Sequence, residues 1–165
     1  MEKVRNDNSG VSLVELIVTL TILSILAALI LPSAQMTARR TKEIELRRDL
    51  RTIRTAIDEF RKNTDKIVAA GGPPPSGVSK SGYPQTLAQL VEGTDFGEAN
   101  GVKKKFLRRI PVDPFHPDLK DGMPEWGLRS YADKPDSTIW GGEDVYDVYS
   151  LSEETAIDGT KYKDW

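Results

Sequence analysis

A carboxylate interrupts the longest apolar stretch of this sequence. The stretch NSGVSLVELIVTLTILSILAALILPS runs from Asn8 to Ser33, and almost every residue between Val11 and Leu31 is apolar. At about 1.5 Å per helical residue, that segment matches the roughly 30 Å hydrocarbon core of a membrane. Glu15 lies inside it, where a charged side chain at the helix centre costs on the order of 2.5–3.5 kcal/mol. The sequence therefore predicts a membrane-length helix in which Glu15 has a function.

The residues before this segment are polar, and their order is unusual. A secretory signal peptide places small residues and its cleavage site after the apolar region. Here the small residues Ser9 and Gly10 come before it. Cleavage at this point would remove residues 1–10 as a leader and leave the apolar segment, residues 11–32, on the mature protein. Pro32 ends or kinks that segment.

A second helical pattern follows the apolar segment. Residues 33–66 carry a narrow apolar stripe with spacings of three and four, formed by Leu46, Leu50, Ile53, Ile57 and Phe60. No strong helix breaker occurs before Gly71-Gly72. The pattern predicts one helix from Val11 to about Thr64, apolar in its first half and amphipathic in its second.

Charged residues cover much of this amphipathic part, with both signs mixed. Basic residues between Arg39 and Arg54 alternate with Glu43, Glu45 and Asp49, and the whole chain has a formal net charge of −2. Such mixing favours a solvated helix face and argues against a nucleic-acid partner.

The remaining residues, 67–165, predict an α+β domain. A Gly- and Pro-rich loop (71–82) precedes a short helix within Tyr83–Gly93, and a proline-rich irregular stretch (101–122) follows. WGLRSYA (126–132) and DVYDVYSL (144–151) are rich in β-branched and aromatic residues and predict strands of a small antiparallel sheet. The tail ends in a turn at Asp158-Gly159 and in Trp165.

The composition excludes several kinds of chemistry. The chain has no cysteine and a single histidine, His116, so thiolate nucleophiles, disulfides and two-histidine metal sites are impossible. Asp113 and His116 flank a proline without any accompanying nucleophile motif, which favours a packed loop. Trp126, Trp140 and Trp165 are interpreted as core or subunit contacts. We expect no enzyme activity.

The N-terminal pattern resembles a known family. Gly10 precedes the break, Glu15 is the fifth residue after it, and SLVEL (12–16) leads an apolar run to Pro32. This is similar to the class III leader of type IV pilins and of the pseudopilins of type II secretion. One departure is Val11, where the family usually has phenylalanine. The C-terminal half is similar to the major (G-type) pseudopilins, through YP (83–84), RRIPVDPF (108–115), YDVYSL (146–151) and DW (164–165).

The resemblance implies a life cycle. A prepilin peptidase would cut between Gly10 and Val11 and methylate the new amine of Val11. The protein would span the bacterial inner membrane once, with a cytoplasmic N-terminus before cleavage and a periplasmic C-terminal domain. It would then assemble as a homo-oligomeric filament, with minor pseudopilins and the inner-membrane platform of the secretion machine as partners. The alternatives are a type IV pilin that builds a surface fibre, and a signal-anchored envelope protein that binds a ligand.

Two sites follow from the same resemblance. Glu15 could be tolerated at the membrane edge, could relay protons, or could pair with the N-terminal amine of a neighbouring subunit, and the resemblance favours the third role. G-type pseudopilins hold calcium near their C-terminus. Here the candidate ligands are Glu154, Asp158, Asp164 and the carbonyl of Leu151, in a tail shorter than the family usually has, and a solvated acidic turn is the alternative.

Overall fold

The computed structural model describes residues 10–97 and 101–165, and for residues 29–33 it describes the backbone alone. The predicted leader therefore lies outside the described residues except for Gly10, as does the side chain of Pro32. The chain divides into two units, Met1–Arg40 and Thr41–Trp165.

Helix α1, Leu13–Ala69, contributes to both units. In its first part the hydroxyls of Thr19, Thr21 and Ser24 donate to main-chain carbonyls three or four residues earlier, at 2.7–2.9 Å. Apart from Ser12, which precedes the helix, these are the hydroxyl side chains between Val11 and Ala28. Because each hydroxyl bonds back to the helix, the three residues do not interrupt the apolar character of the segment. Among the described residues, no helix is both long enough and apolar enough to cross a membrane.

The second part of α1 carries the core of the Thr41–Trp165 unit. The predicted stripe is confirmed, because Leu46, Leu50, Ile53, Ile57 and Phe60 are all buried. The Phe60 ring packs against the rings of Phe96 and Phe106, with centroids 5.4 Å away in each case. The helix ends a few residues later than predicted, where Gly71 adopts φ +80° and Gly72 N–H donates to the Ile67 carbonyl at 3.0 Å. A residue at positive φ is the usual way to end a helix, and glycine adopts it without strain.

Helix α2, Ala88–Glu92, is the short second helix that the sequence predicts. Leu90 is fully buried, and its carbonyl accepts the N–H groups of Phe106 and Leu107 at 2.9 Å each. These two bonds hold Phe106 and Leu107 against α2. The Phe106 ring then packs in the aromatic cluster with Phe60 and Phe96.

Four short strands form two antiparallel ladders. Strand β1 (Leu119–Lys120) pairs with β2 (Met123–Pro124), and β3 (Gly127–Arg129) pairs with β4 (Asp147–Tyr149). The β3–β4 pair confirms the two predicted strands, and the fold is α+β as expected.

The sequence prediction was wrong for β1. It lies in the proline-rich stretch 101–122 that was expected to be irregular. Asp121 and Gly122 both adopt positive φ, 52° and 77°, so this Asp-Gly pair makes a tight hairpin turn that brings Lys120 opposite Met123. The turn residues, rather than the strand residues, create this ladder.

The long connection from β3 to β4 is held by two aspartates. Asp144 is buried, and its carboxylate accepts the Tyr131 N–H at 2.8 Å and the Ser81 hydroxyl. Asp133 accepts the N–H groups of Ser130 and Gly141, and these bonds lower the pKa of its carboxyl. The main-chain N–H groups of Ser130, Tyr131 and Gly141 therefore have carboxylate acceptors within the loop. These bonds stabilise the 17-residue segment 130–146.

Candidate functional site

The residues of the predicted cleavage site are accessible. Among the described residues other than Gly10 and its chain neighbours, no atom lies within 4 Å of the position that a Cβ would occupy on Gly10, and Val11 is 70% exposed. A protease could therefore approach the Gly10–Val11 backbone without moving another part of the described chain. Cleavage and methylation at this bond stay predictions.

Glu15 lies in the first turn of α1 and is exposed. Its position has a local consequence, because a negative charge near a helix N-terminus is stabilised by the exposed N–H groups there. Ser12 immediately precedes the helix, and its carbonyl accepts the Leu16 N–H at 3.0 Å. The spacing of Ser12 and Glu15 is that of a capping box, a signal the sequence interpretation missed. A test of Glu15 must therefore separate its charge from its place in the helix start.

An exposed apolar surface surrounds Glu15 within the Met1–Arg40 unit. The large apolar side chains from Val11 to Leu26 are between 49% and 73% exposed: Val11, Leu13, Val14, Leu16, Ile17, Val18, Leu20, Ile22, Leu23, Ile25 and Leu26. They occupy every side of the helix rather than one stripe. A helix that is apolar all round is normally buried, so this surface, which we call the apolar segment, requires lipid or protein around it.

The four predicted calcium ligands lie along the tail after β4. Leu151 is half-buried, Glu154 and Asp164 are exposed, and Asp158 lies in the predicted turn, where the Gly159 N–H donates to the Ala156 carbonyl at 3.0 Å. Among the residues described, no three His, Cys, Asp or Glu side chains are grouped to hold a metal ion. The calcium site stays a prediction, without a preformed set of carboxylates behind it in this part of the chain.

Asp158 already has protein partners. Its Oδ1 accepts the Thr160 N–H at 3.0 Å and the Thr160 hydroxyl at 2.6 Å, and its Oδ2 lies 3.4 Å from Arg47 Nη2. The Thr160 hydrogen bonds, with a smaller contribution from Arg47, lower the pKa of the Asp158 carboxyl. A calcium ion needs six to eight oxygens, and a nearby guanidinium repels it. The arrangement around Asp158 suits an ion pair better than a cation site.

The structure corrects the interpretation of the charged helix face. Glu43 is only 7% exposed, and its Oε1 accepts the Ile157 N–H at 2.8 Å and the Tyr162 hydroxyl at 3.0 Å. The expectation that Glu43 is solvated was wrong. A signal was present in the sequence, because Glu43 lies three residues before Leu46 and so continues the buried stripe.

Two arginines on α1 also reach the far end of the chain. Arg54 donates to Asp147 Oδ1 at 2.6 Å, to the Val148 carbonyl at 2.9 Å and to the main-chain oxygen of Trp165 at 2.7 Å. The Arg47 guanidinium lies 4.0 Å from the centroid of the Trp165 ring, in a cation–π contact. Arg47 and Arg54 on this face thus bind Trp165 in the protein's own tail.

Comparison with known proteins gives two matches. Residues 5–31 match the prokaryotic N-terminal methylation motif. The chain is also 28% identical, over 116 residues, to type II secretion system core protein G of Pseudomonas aeruginosa, a match that covers 67% of this chain and 70% of that protein. No solved structure matches this chain.

The match to core protein G agrees with the resemblance to the major pseudopilins that the sequence indicates. The expectation of a structural subunit rather than an enzyme agrees with the same match. The methylation motif covers Gly10, Val11 and Glu15 but none of the tail residues.

Proposed function

We propose that this chain is the major subunit of a periplasmic pseudopilus in type II protein secretion. The observation that carries the proposal is the apolar segment, which is exposed on all sides and holds a carboxylate in its first turn. Copies that pack these segments together would keep their apolar surface out of water once it leaves the membrane. Exposing each large side chain to water would cost about 1.5–3 kcal/mol, so outside the membrane the segment is stable only when neighbouring copies cover it.

Processing would prepare the segment for assembly. In the proposed sequence of events, a prepilin peptidase cuts between Gly10 and Val11 and methylates the new amine of Val11. The cut removes the polar residues 1–10 and creates a positive charge four residues before Glu15. Mass spectrometry of the mature protein is expected to find an N-methylated Val11 at its N-terminus. An intact Met1 on the membrane-bound protein would contradict this step.

Glu15 would then direct the order of assembly. An ionised carboxylate in an apolar environment is costly, and pairing it with the N-terminal amine of a neighbouring copy removes most of that cost. Each incoming subunit would present its own amine to a Glu15 already in the filament. Before assembly the carboxylate carries this cost unpaired in the segment that we place in the inner membrane, residues 11–32, and it thereby biases the subunit towards the filament.

The experiment compares Glu15→Gln with the wild type in cells that overproduce the protein. Glutamine keeps the shape of the side chain and its hydrogen-bonding oxygen at the helix start, but it carries no charge. We expect normal cleavage and membrane insertion, with filament yield reduced by roughly tenfold or more, as removal of one member of a buried ion pair implies. Thr21→Ala, on the same surface, is the matched control and should assemble normally. Wild-type filament yield from the Gln variant would exclude charge pairing.

Location of the filament separates the pseudopilus from the alternatives. We expect short filaments confined to the periplasm at native expression, and a secretion defect when the gene is deleted. Surface fibres at native expression, with normal secretion in the deletion strain, would instead favour a type IV pilin. An uncleaved protein that forms no filament would favour a signal-anchored envelope binding protein. Minor pseudopilins and the inner-membrane platform are the partners we propose for assembly.

A further inference from the structure

The C-terminal tail, residues 155–165, folds against α1 through a buried carboxylate. Glu43 accepts two hydrogen bonds through one oxygen, from the Ile157 N–H at 2.8 Å and from the Tyr162 hydroxyl at 3.0 Å. Its partners are 114 and 119 residues away in the sequence. Hydrogen bonds to a charged acceptor are stronger than neutral ones, and burial strengthens them further.

Tyr162 gives this contact its apolar support. The residue is fully buried, its ring stacks on the Phe115 ring with centroids 4.0 Å apart, and it meets the Trp165 ring edge-on at 5.1 Å. The hydroxyl therefore reaches Glu43 from inside the core. A tyrosine held in this way cannot move away from the carboxylate without unpacking two aromatic rings.

The rest of the tail closes on itself. The Ala156 N–H donates to the Thr160 carbonyl at 2.7 Å, and the Trp165 indole N–H donates to the Thr160 hydroxyl at 2.7 Å. Arg47 and Arg54 hold Trp165 from α1 through a cation–π contact and a hydrogen bond to its main-chain oxygen. The Asp158 carboxylate, the Thr160 hydroxyl and carbonyl, and the main-chain oxygen of Trp165 are thus engaged with protein donors.

We propose that Glu43 locks the tail onto α1, and that this lock keeps the tail ordered without a bound cation. In this arrangement the protein's own N–H, hydroxyl and guanidinium groups bind the carboxylates of Glu43 and Asp158. A calcium ion placed among Glu154, Asp158 and Asp164 would have to displace Thr160 and Arg47 from Asp158. Glu43 is a positioning residue here, since it acts by fixing Ile157 and Tyr162.

The test uses the full-length chain in detergent and two measurements, the melting temperature and the amide hydrogen exchange of Ile157. Glu43→Ala removes the acceptor of the Ile157 N–H and of the buried Tyr162 hydroxyl, so we expect a melting temperature lower by roughly 5–10 °C and Ile157 exchange at least roughly tenfold faster. Glu43→Gln keeps an acceptor oxygen in the same place and should recover most of both losses. Glu45→Ala, an exposed glutamate on the same helix, is the matched control and should change neither measurement.

The cation arm uses calcium alone as the probe. Millimolar Ca²⁺ and, separately, the chelator EGTA should leave the wild-type melting temperature and Ile157 exchange unchanged. A higher melting temperature with Ca²⁺, reversed by EGTA, would overturn the proposal and support the predicted calcium site. Unchanged Ile157 exchange in Glu43→Ala would overturn it as well. These measurements need no filament, so their outcome is independent of the proposed secretion function.

Discussion

The two parts of helix α1 have the same backbone conformation and opposite surfaces. From Val11 to Leu26, large apolar side chains are exposed around the whole circumference of the helix. After Thr41, one stripe is buried in the core, and many of the other residues are charged. The difference is one of partners, because the second part finds its apolar contacts within its own chain and the first part finds none among the residues that the structure describes.

This contrast separates two kinds of stability in one element. A substitution in the second part changes the free energy of unfolding of the Thr41–Trp165 unit. A substitution in the apolar segment should leave that quantity unaltered and change association between copies instead. Because the apolar segment and the second part of α1 share no described contacts, the effects of substitutions in one should be independent of substitutions in the other.

The largest effect is expected from Phe60→Ala. Phe60 is fully buried and contacts Phe96 and Phe106, so its truncation removes apolar contacts and leaves a cavity. The free energy of unfolding should fall by about 3–5 kcal/mol, measured by denaturant unfolding of the full-length protein in detergent. Leu20→Ala is the matched truncation in the apolar segment, where Leu20 is exposed. It should leave unfolding unchanged and lower filament yield, and an equal loss of unfolding free energy in both variants would remove the contrast.

A smaller effect is expected from Arg54→Ala, which tests the polar contacts of the second part. Arg54 links α1 to β4 and to Trp165 through hydrogen bonds of 2.6–2.9 Å, and its removal leaves Asp147 with fewer donors. The free energy of unfolding should fall by roughly 1.5–3 kcal/mol, as for hydrogen bonds to charged groups. Arg51→Ala, at an exposed position on the same helix, is the control. Equal stability of the two variants would mean that Arg54 adds nothing beyond a surface charge.

The sequence predicts the buried stripe well and the tail contacts poorly, for a physical reason. Leu46 to Phe60 follow the helical period, which depends only on local geometry and on the preference of apolar residues for the interior. Glu43 and Arg54 have the composition of a solvated face, and only partners about 90 to 120 residues away make their burial favourable. Periodicity marks which side of a helix faces the core, but it does not say which charged residue finds a partner there.

The candidate sites divide in the same way. Gly10 and Glu15 are recognisable because their spacing is a linear pattern that the methylation motif also covers. The calcium ligands were chosen by residue type in a tail whose pairing could not be deduced from one sequence. Thr160, Arg47 and Glu43 make contacts that hold the tail in place. None of the three is a predicted calcium ligand, and two of them lie on α1, more than 100 residues before the tail. The partner proposed for Glu15 belongs to another copy of the chain, so a single fold cannot contain it.

The smallest effect is expected from Asp49→Asn, in the second part of α1. Burial, and then the Glu45 carboxylate, raise the pKa of the Asp49 carboxyl above its ordinary value of 3.8, against the opposing effect of Arg48. A raised folded-state pKa means that the folded protein binds this proton more tightly than the unfolded chain does. The ionised form therefore costs stability, fully above the folded-state pKa and not at all below pH 3.8.

Asparagine removes that charge, so the variant should be more stable than the wild type at pH 7, by about 1 kcal/mol or less because Asp49 is partly exposed to solvent. The difference should shrink as the pH falls towards 3.8, where the wild-type carboxyl is itself protonated. Melting temperatures of both proteins across this range measure it, with Glu59→Gln as an exposed control on the same helix. A variant less stable than the wild type at pH 7 would mean that attraction to Arg48 and Arg109 outweighs burial and repulsion, and that even the partly buried charges of this part of α1 are paired within the chain.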